Sequence, residues 1–387
     1  MNKSLEPNFP TVCVREGRAN LIVPDMGSYL DERGKYAPWK APVFYNFEAA
    51  PTRDISVAIS RQLPRGARVL DAMCGAGARG IRIAAESEIS SVVLNDINRD
   101  ALLLAQLSLK LNRLGSRIEL QSVGASSLCA AEDFREGYDY VDVDPFGTVA
   151  PFVHPALIAV TNGGILGVSS TDGANLCGNR RDALKRIYFA FNRDRTCPRE
   201  SGLRILLAHV ITRASSMGLC AQPLISYHFR DYFRAHFRIF PSASAASRLT
   251  KQIGYRAACS CSGAYLDSQV CETCHSPSIA GPLWTGGIAD PGYAAKLETG
   301  IAAEKGVMSN TSFRILRALV EEGAMPNPHM EVHSLIKGRG LEPPRLNKLL
   351  EALQSQGYVA ARSHFGANAI RTTANEEEVR KIIMNLR

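Results

Sequence analysis

The chain has 387 residues, of which 45% are hydrophobic and 21% charged, a composition typical of globular proteins with two or three domains. Lys and Arg outnumber Asp and Glu by 45 to 37, and the resulting formal net charge of +8 favours a polyanionic partner without requiring one. No apolar run approaches the roughly 20 residues of a membrane span, and no secretory leader is recognisable. We therefore expect a cytosolic protein with reduced thiols and no membrane contact.

Residues 68–97 have the pattern of a strand, a glycine-rich turn, a helix and a second strand. Gly75 and Gly77 stand in the turn, where glycine lets the backbone approach a ligand closely. The second strand ends at Asp96, about 20 residues after the turn, where Rossmann-type sheets place the acid that accepts hydrogen bonds from ribose. The pattern predicts a nucleoside site formed by the two glycines, Asp96 and the following Ile97.

Asp71, at the end of the first strand, bears on which nucleoside is bound. A carboxylate ahead of the glycines would repel the pyrophosphate of a dinucleotide, whereas it accepts hydrogen bonds from an ammonium-bearing ligand. S-adenosylmethionine is such a ligand. A nicotinamide-dependent oxidoreductase is the alternative, although no substrate-side residues in the sequence match it.

A second candidate site follows the β-forming residues 140–143. Asp144 and Pro145 end this strand, because proline lacks the amide hydrogen that a sheet requires. Ligands of open α/β sheets bind at the carboxyl ends of strands, and Phe146 offers a flat apolar face there. An isolated Asp-Pro pair is also an ordinary turn, but the nucleoside motif upstream favours a catalytic role.

Strands alternate with helices through residues 1–241, which predicts an α/β domain with a doubly wound, mostly parallel sheet and an N-terminal extension. Gly124 and Ala125 follow the third strand, where the adenine edge of a nucleoside would lie. The small, polar residues 241–247 mark a boundary, so residues 242–387 are predicted to form a second domain.

Four cysteines in two close pairs characterise the start of this second domain. Four thiolates so spaced suit a tetrahedral structural zinc in a zinc-ribbon-like segment over residues 255–284. The four are Cys259, Cys261, Cys271 and Cys274. Residues 305–387 predict three helices and a two-stranded ribbon, the pattern of a winged helix that binds nucleic acid or protein.

Together these motifs resemble one family, the tRNA guanine-26 N2-dimethyltransferases, over nearly the whole chain. The similarity rests on short motifs that include Asp-Pro-Phe-Gly. They are residues 44–46, 53–54, 142–147, 150–152, 163–166, 171–172, 176–178, 202–207, 232–234, 281–284 and 364–366. The family usually carries an acidic residue where this chain has Gly124. The resemblance implies a Rossmann-like class I methyltransferase domain, S-adenosylmethionine as cofactor and tRNA as partner.

The resemblance also implies roles for individual residues. Asp144 and the carbonyl of Pro145 would accept hydrogen bonds from the guanine N2 amine, which receives one or two methyl groups. Phe146 and Phe44 would stack on the extruded base, and Arg53 would lie near the cofactor carboxylate. Methylation at another tRNA position and a non-catalytic RNA-binding protein are the alternatives. No obligatory protein partner is evident, so we expect a monomer.

Basic residues in two clusters are candidate phosphate contacts, although charge runs are often only solvated surface. They are Arg180, Arg181, Lys185, Arg186, Arg230, Arg234 and Arg238.

Overall fold

The computed structural model describes residues 6–131, 137–257, 265–266, 268–272, 274–304, 306–337 and 342–386. The chain forms two compact units that alternate along the sequence. Unit one comprises residues 1–145, 151–168 and 297–313, and unit two comprises residues 146–150, 169–296 and 314–387. In the part of the chain that is described, no helix is long and apolar enough to cross a membrane.

Unit one contains five parallel strands in the order β5-β4-β3-β6-β7. They are β3 (Arg68–Asp71), β4 (Ser91–Asn95), β5 (Ile118–Gln121), β6 (Tyr138–Val143) and β7 (Val160–Ser170). Leu70 pairs with Val93 on one side and Val141 on the other. These strands are almost continuously apolar and buried, because helices cover both faces of a parallel sheet. The predicted α/β class and parallel strands are confirmed in this unit.

Helices and a hairpin surround this sheet. They are α1 (Ala50–Ser60), α2 (Ala78–Glu86), α3 (Arg99–Asn112), α4 (Ala125–Ala131), α5 (Ala150–Ala159) and the antiparallel strands β1 (Thr11–Glu16) and β2 (Ala19–Pro24). Helix α3 begins after Asn98, whose side chain accepts a hydrogen bond from the amide of Asp100, a favourable N-cap. Gly80 lies where α2 crosses the sheet, and a Cβ there would collide with Leu94, so glycine is required for this close approach.

A buried ionic cluster joins the hairpin to α1 and α2. Glu16 at the end of β1 accepts two hydrogen bonds from Arg53, each 2.6 Å long. Arg82, which is fully buried, pairs with Glu16 at 3.1 Å and with Asp54 at 2.7 Å. Burial alone would raise the pKa of Glu16, but Arg53 and Arg82 lower it to about 2. Glu16 is therefore a charged part of the core of unit one.

Unit two contains a long antiparallel hairpin, β9 (Leu219–Phe229) with β10 (Tyr232–Pro241), so the two final strands predicted for the first domain are antiparallel. Helix α8 (Pro198–Ser215) packs against β9. A second sheet has the order β12-β11-β13-β8. Its strands are β8 (Phe191–Asn192), β11 (Ile253–Ala257), β12 (Tyr265–Leu266) and β13 (Ser278–Trp284). The remaining helices of unit two up to residue 296 are α6 (Gly173–Leu176), α7 (Arg181–Tyr188) and α9 (Ala243–Thr250). Helices α10 (Pro291–Ala302) and α11 (Asn310–Glu322) each have residues in both units.

The C-terminal part of unit two has its own hydrophobic core around Leu349, Leu353 and Ile370. Its strands form a sheet in the order β14-β16-β15. The elements are β14 (Met330–Glu331), α12 (Val332–Ile336), α13 (Leu346–Ser355), β15 (Ala360–Arg362), β16 (Ala369–Thr372) and α14 (Glu376–Asn385). The predicted helices and ribbon are present here, whereas α14 is an additional helix that begins with a capping box between Asn375 and Glu378.

Candidate active site

The glycine-rich turn after β3 has the backbone of a ligand-binding loop. Gly75 and Gly77 adopt φ angles of 52° and 79°, which favour glycine. A Cβ on Gly75 would lie 3.0 Å from the carbonyl oxygen of Phe44, so a second chain segment approaches the loop closely. Asp71 supports the loop from behind, since its Oδ2 accepts a hydrogen bond of 3.1 Å from the amide of Gly80.

Asp96 at the end of β4 lies against the same loop. Its Oδ2 accepts a hydrogen bond of 2.9 Å from the Gly75 amide, and its Oδ1 accepts one of 2.9 Å from the Asn98 amide. The carboxylate remains partly accessible, and the neighbouring Ile97 is 75% exposed. The structure thus brings Asp96 and the glycine turn together, as the sequence spacing predicted, and their binding of a nucleoside stays a prediction.

Asn95 connects this acid to the loop after β5. Its side-chain amide donates to the carbonyl oxygens of Ala72 at 3.0 Å and Val123 at 2.9 Å, while its Oδ1 accepts from the Val123 amide at 3.0 Å. Gly124 and Ala125 follow Val123 directly; Gly124 is exposed and Ala125 is buried. The three strand ends predicted to hold a nucleoside are thus held together by one buried amide, which sequence reasoning had missed.

A group of carboxylates lies at the carboxyl end of β6. Asp142 is buried, accepts a hydrogen bond of 2.6 Å from the Tyr140 hydroxyl and aligns with Asp71 on β3. The Asp144 side chain is 21% exposed, compared with 1% for Asp142. Asp144 is therefore the carboxylate of this group that a substrate can reach.

Arg79, from the first turn of α2, holds these carboxylates. Its Nη2 donates to Asp144 Oδ2 at 2.5 Å, its Nε lies 3.1 Å from Asp142 Oδ1 and its Nη1 donates to Ser56 at 2.7 Å. Burial raises the pKa of Asp71 to about 7, although Arg79 opposes this shift. One guanidinium thus balances a crowded set of acids and fixes the direction of the Asp144 side chain.

The aromatic residues and Arg53 differ in accessibility. Phe44 is half-buried and Phe146 is 74% exposed. The residue after Phe146 is fixed in unit two, since the Gly147 amide donates to Thr171 Oγ1 at 2.9 Å. Arg53 is buried, and its guanidinium is held by Glu16. Its assignment to the cofactor carboxylate remains a prediction.

The predicted zinc ligands are partly outside the described residues, since Cys259 and Cys261 fall there. Cys271 is buried, Cys274 is exposed and neither forms a disulfide. The Cys271 carbonyl accepts a hydrogen bond of 2.8 Å from the His275 amide, which closes a tight turn around the second pair. In the part of the chain that is described, no cluster of three or more His, Cys, Asp or Glu residues is arranged to hold a metal ion.

Two residues of the site were not identified from the sequence. Arg79 stands in a Gly-Ala-Arg-Gly stretch, which resembles a solvated loop, and Asn95 is simply the last residue of an apolar strand. The sequence does show that Asn95 ends an otherwise apolar run, and a polar amide that is buried in such a strand must be hydrogen-bonded.

Similarity to named proteins extends along almost the whole chain. A tRNA (guanine(26)-N(2))-dimethyltransferase of Thermococcus kodakarensis is 32% identical over 97% of this chain and 99% of its own length. The enzyme of the same name from Methanospirillum hungatei is 34% identical over 96% of this chain and 98% of its own.

A solved complex of Trm1 from Pyrococcus horikoshii with S-adenosyl-L-methionine has a TM-score of 0.82 and 28% identity, covering 96% of this chain and 99% of that one. The family described as N2,N2-dimethylguanosine tRNA methyltransferase matches residues 17–384. This match spans both compact units and every predicted site residue. The chain is a member of the N2,N2-dimethylguanosine tRNA methyltransferase family.

Proposed function

We propose that the protein transfers one or two methyl groups from S-adenosylmethionine to the exocyclic N2 of a guanine in tRNA, at guanine 26 as in the named relatives. The observation that carries the proposal is the accessible Asp144 carboxylate, held by Arg79 at the end of β6 in the same unit as the glycine turn. Family membership argues against the nicotinamide alternative.

The residues around the glycine turn fit the proposed cofactor. Asp96 presents a partly accessible carboxylate to ribose hydroxyls, and the open backbone at Gly75 and Gly77 leaves room for a ligand. The exposed Ile97 would flank the adenine, together with Gly124 and Ala125, which follow the Val123 carbonyl that Asn95 hydrogen-bonds. Asp71 would act through the loop, because its carboxylate points at the start of α2.

The guanine amine is a poor nucleophile because its lone pair is delocalised into the ring. A carboxylate that accepts hydrogen bonds from the amine protons localises the lone pair and takes up the proton that the nitrogen loses. Asp144 would do this, with the Pro145 carbonyl accepting from the second amine hydrogen. S-adenosylmethionine, when bound, supplies the methyl group as an electrophilic sulfonium substituent. Phe44 and Phe146 would stack on the base, which must be extruded from folded RNA to enter the site.

We further assign tRNA binding to residues 242–387. The three-stranded sheet β14-β16-β15 with α11, α12 and α13 supports a winged-helix-like module over residues 305–387. Residues 1–241 would then carry the methyl-transfer chemistry.

A structural zinc bound by Cys259, Cys261, Cys271 and Cys274 completes the proposal for residues 255–284. The tight turn that contains Cys271 and Cys274 supports it. Metal analysis of the purified protein should find about one zinc per chain, lost in a Cys271→Ser variant. A wild-type protein free of metal that unfolds at the same temperature with and without chelator would contradict this assignment.

Transfer of labelled methyl groups to unmodified tRNA transcripts tests the function. The transcript with guanine at position 26 should be labelled, the transcript with adenine there should not, and nucleoside mass spectrometry should identify N2-methylated guanosine. Equal labelling of the two transcripts would show that the methylated guanine is at another position. Tight tRNA binding without any transfer would favour a non-catalytic RNA-binding protein.

A further inference from the structure

Unit two contains an open cavity of about 1290 Å³ with an unusual concentration of arginines on its walls. The cavity lies between the start of α7, the segment from β8 to α8 and the turn between β9 and β10. We call it the arginine cavity and define it by Arg180, Arg181, Arg193, Arg195, Arg199 and Arg230.

The six arginines of the arginine cavity outnumber the three acidic residues on its walls. Within the described residues, no ion pair with an acidic side chain is formed by Arg180, Arg181, Arg193, Arg195 or Arg199, and all of these side chains are exposed. The acidic residues on the walls are Asp182, Asp194 and Asp231. Asp194 is buried and already paired with Arg256 at 2.8 Å, so it offsets little of the charge.

The arginines also stand where a helix disfavours them. Arg180 and Arg181 are the N-cap and first residue of α7, and Arg199 is the second residue of α8. The positive end of a helix dipole repels cations and attracts anions. The first turns also contain one acid each, Asp182 in α7 and Glu200 in α8. Three arginines at two helix starts still outnumber these acids, and an anion bound in the cavity would be stabilised by the arginines and by the helix starts.

The turn between β9 and β10 adds a further arginine in an unfavourable position. Arg230 adopts φ 54°, a backbone conformation that favours glycine. His228 beside it adds no charge, because burial together with the nearby Arg199 lowers its pKa to about 3. The charge of the cavity is thus provided by guanidinium groups, which bind phosphate with two parallel hydrogen bonds.

We propose that the arginine cavity binds consecutive backbone phosphates of the tRNA substrate. This inference rests on the proposed function. The cavity exceeds the range of roughly 300–1,000 Å³ of small-molecule pockets, which favours a length of polymer over a free nucleotide. Its arginines come from residues 180–230, so this contact would lie outside the segment 242–387 to which we assign tRNA binding.

Binding of an unmodified tRNA transcript to the full-length protein, measured by fluorescence anisotropy over a series of KCl concentrations, tests the proposal. The variant Arg193→Ala/Arg195→Ala is compared with Arg33→Ala/Arg213→Ala, which removes the same charge from exposed positions outside both the cavity and residues 242–387. The cavity variant should raise Kd about tenfold and reduce the slope of log K against log salt by about 1.5, for two lost phosphate contacts. The control variant should behave like wild type.

A second variant separates a binding role from a structural one. Arg181→Ala removes a cation from the start of α7, so it should raise Tm while it weakens tRNA binding. Equal Kd and salt slope in the cavity and control variants would overturn the proposal. Binding of inorganic phosphate to each protein is measured by calorimetry. If the cavity variant loses phosphate binding but keeps the wild-type affinity for tRNA, the proposal is also overturned, because the cavity would then be a site for small anions.

Methyl transfer at saturating tRNA distinguishes this inference from the proposed function. The cavity variants should retain the wild-type kcat, since none of the substituted arginines belongs to the residues that hold Asp144. Absence of transfer in the wild-type protein would contradict the proposed function and leave the binding result to be judged by itself.

Discussion

Arg79 Nη2 lies 2.5 Å from Asp144 Oδ2, while Nε of the same guanidinium lies 3.1 Å from Asp142 Oδ1. One buried cation from α2 thus joins a structural carboxylate to the accessible one. A planar guanidinium can serve both acids at once, whereas an ammonium group cannot reproduce this geometry. These contacts predict that Arg79 positions Asp144 to accept hydrogen bonds from the guanine amine.

Replacing Arg79 by Lys should lower kcat about tenfold or more, because the lysine keeps the charge but loses the two-way contact. The KM for S-adenosylmethionine should change little, since Arg79 is engaged with Ser56, Asp142 and Asp144. Steady-state kinetics with both substrates separate these two effects.

The double variant Arg79→Met/Asp142→Asn is the control for this prediction. Removing Arg79 alone takes the cation away from the buried Asp142 carboxylate, which is destabilising, and the second substitution removes the charge of that carboxylate. If Arg79 positions Asp144, Tm should recover in the double variant while kcat stays low. Recovery of both would reduce Arg79 to a structural role.

Glu16 should make the protein acid-sensitive. Its pKa is about 2 in the folded protein against an ordinary value of 4.5, so its contribution is fully present above pH 4.5 and is lost as pH falls towards 2. A difference of this size corresponds to about 3 kcal/mol. Glu16→Gln should lower the free energy of unfolding at pH 7 by an amount of this order and flatten its dependence on pH below 4.5.

Denaturant unfolding at a series of pH values checks this prediction, with Glu32→Gln as a control at an exposed position. If Glu16→Gln and the control have the same pH dependence of unfolding as wild type, the cluster around Arg82 does not stabilise unit one in this way.

Gly80→Ala should be destabilising. The added methyl group would meet Leu94, which is fully buried, and would approach Val92 Cγ1 at 3.1 Å. Overpacking of this kind costs about 1–3 kcal/mol. Gly115→Ala is the matched control, since a Cβ there has no neighbour within 4 Å. Unfolding midpoints that fall equally in the two variants would show that the crossing of α2 over the sheet is not tightly packed.

The parts of the site that follow from local pattern were predictable from the sequence. Short β-forming runs placed Asp71, Asp96 and Asp144 at strand ends, and the glycine spacing identified the loop. Parallel strands bring their carboxyl ends to one edge, so the meeting of Asp96 with Gly75 needed no further information. The family resemblance added the roles of individual residues, which spacing alone does not determine.

The burial of charged side chains was not predictable in the same way. Arg234 was predicted to contact phosphate, but it has no exposed surface, and its Nη2 lies 3.2 Å from His236 Nε2, so this prediction was wrong. Arg180, Arg181 and Arg230 from the same prediction line the arginine cavity. The local sequence does not distinguish the buried arginine from those that line the cavity, because burial of an arginine depends on which elements pack over it.

Helix α14 was missed because its first turn is the acidic run Glu376, Glu377 and Glu378, which resembles a solvated tail. The three negative charges stabilise α14, because they lie at the positive end of the helix dipole. Val379, Ile382 and Ile383 bury one face of the helix in the C-terminal core. Such a short apolar face is recognised only together with the surface that it covers.

The most direct test of this account is single-turnover methyl transfer to a tRNA transcript with guanine 26 by wild type and Asp144→Asn. The asparagine keeps the size of the side chain but cannot take up the amine proton. The rate should fall about 10²–10⁴-fold, while calorimetry should show unchanged affinity for S-adenosylmethionine. Transfer at the wild-type rate by Asp144→Asn would contradict the assignment of Asp144 as the group that activates the guanine amine.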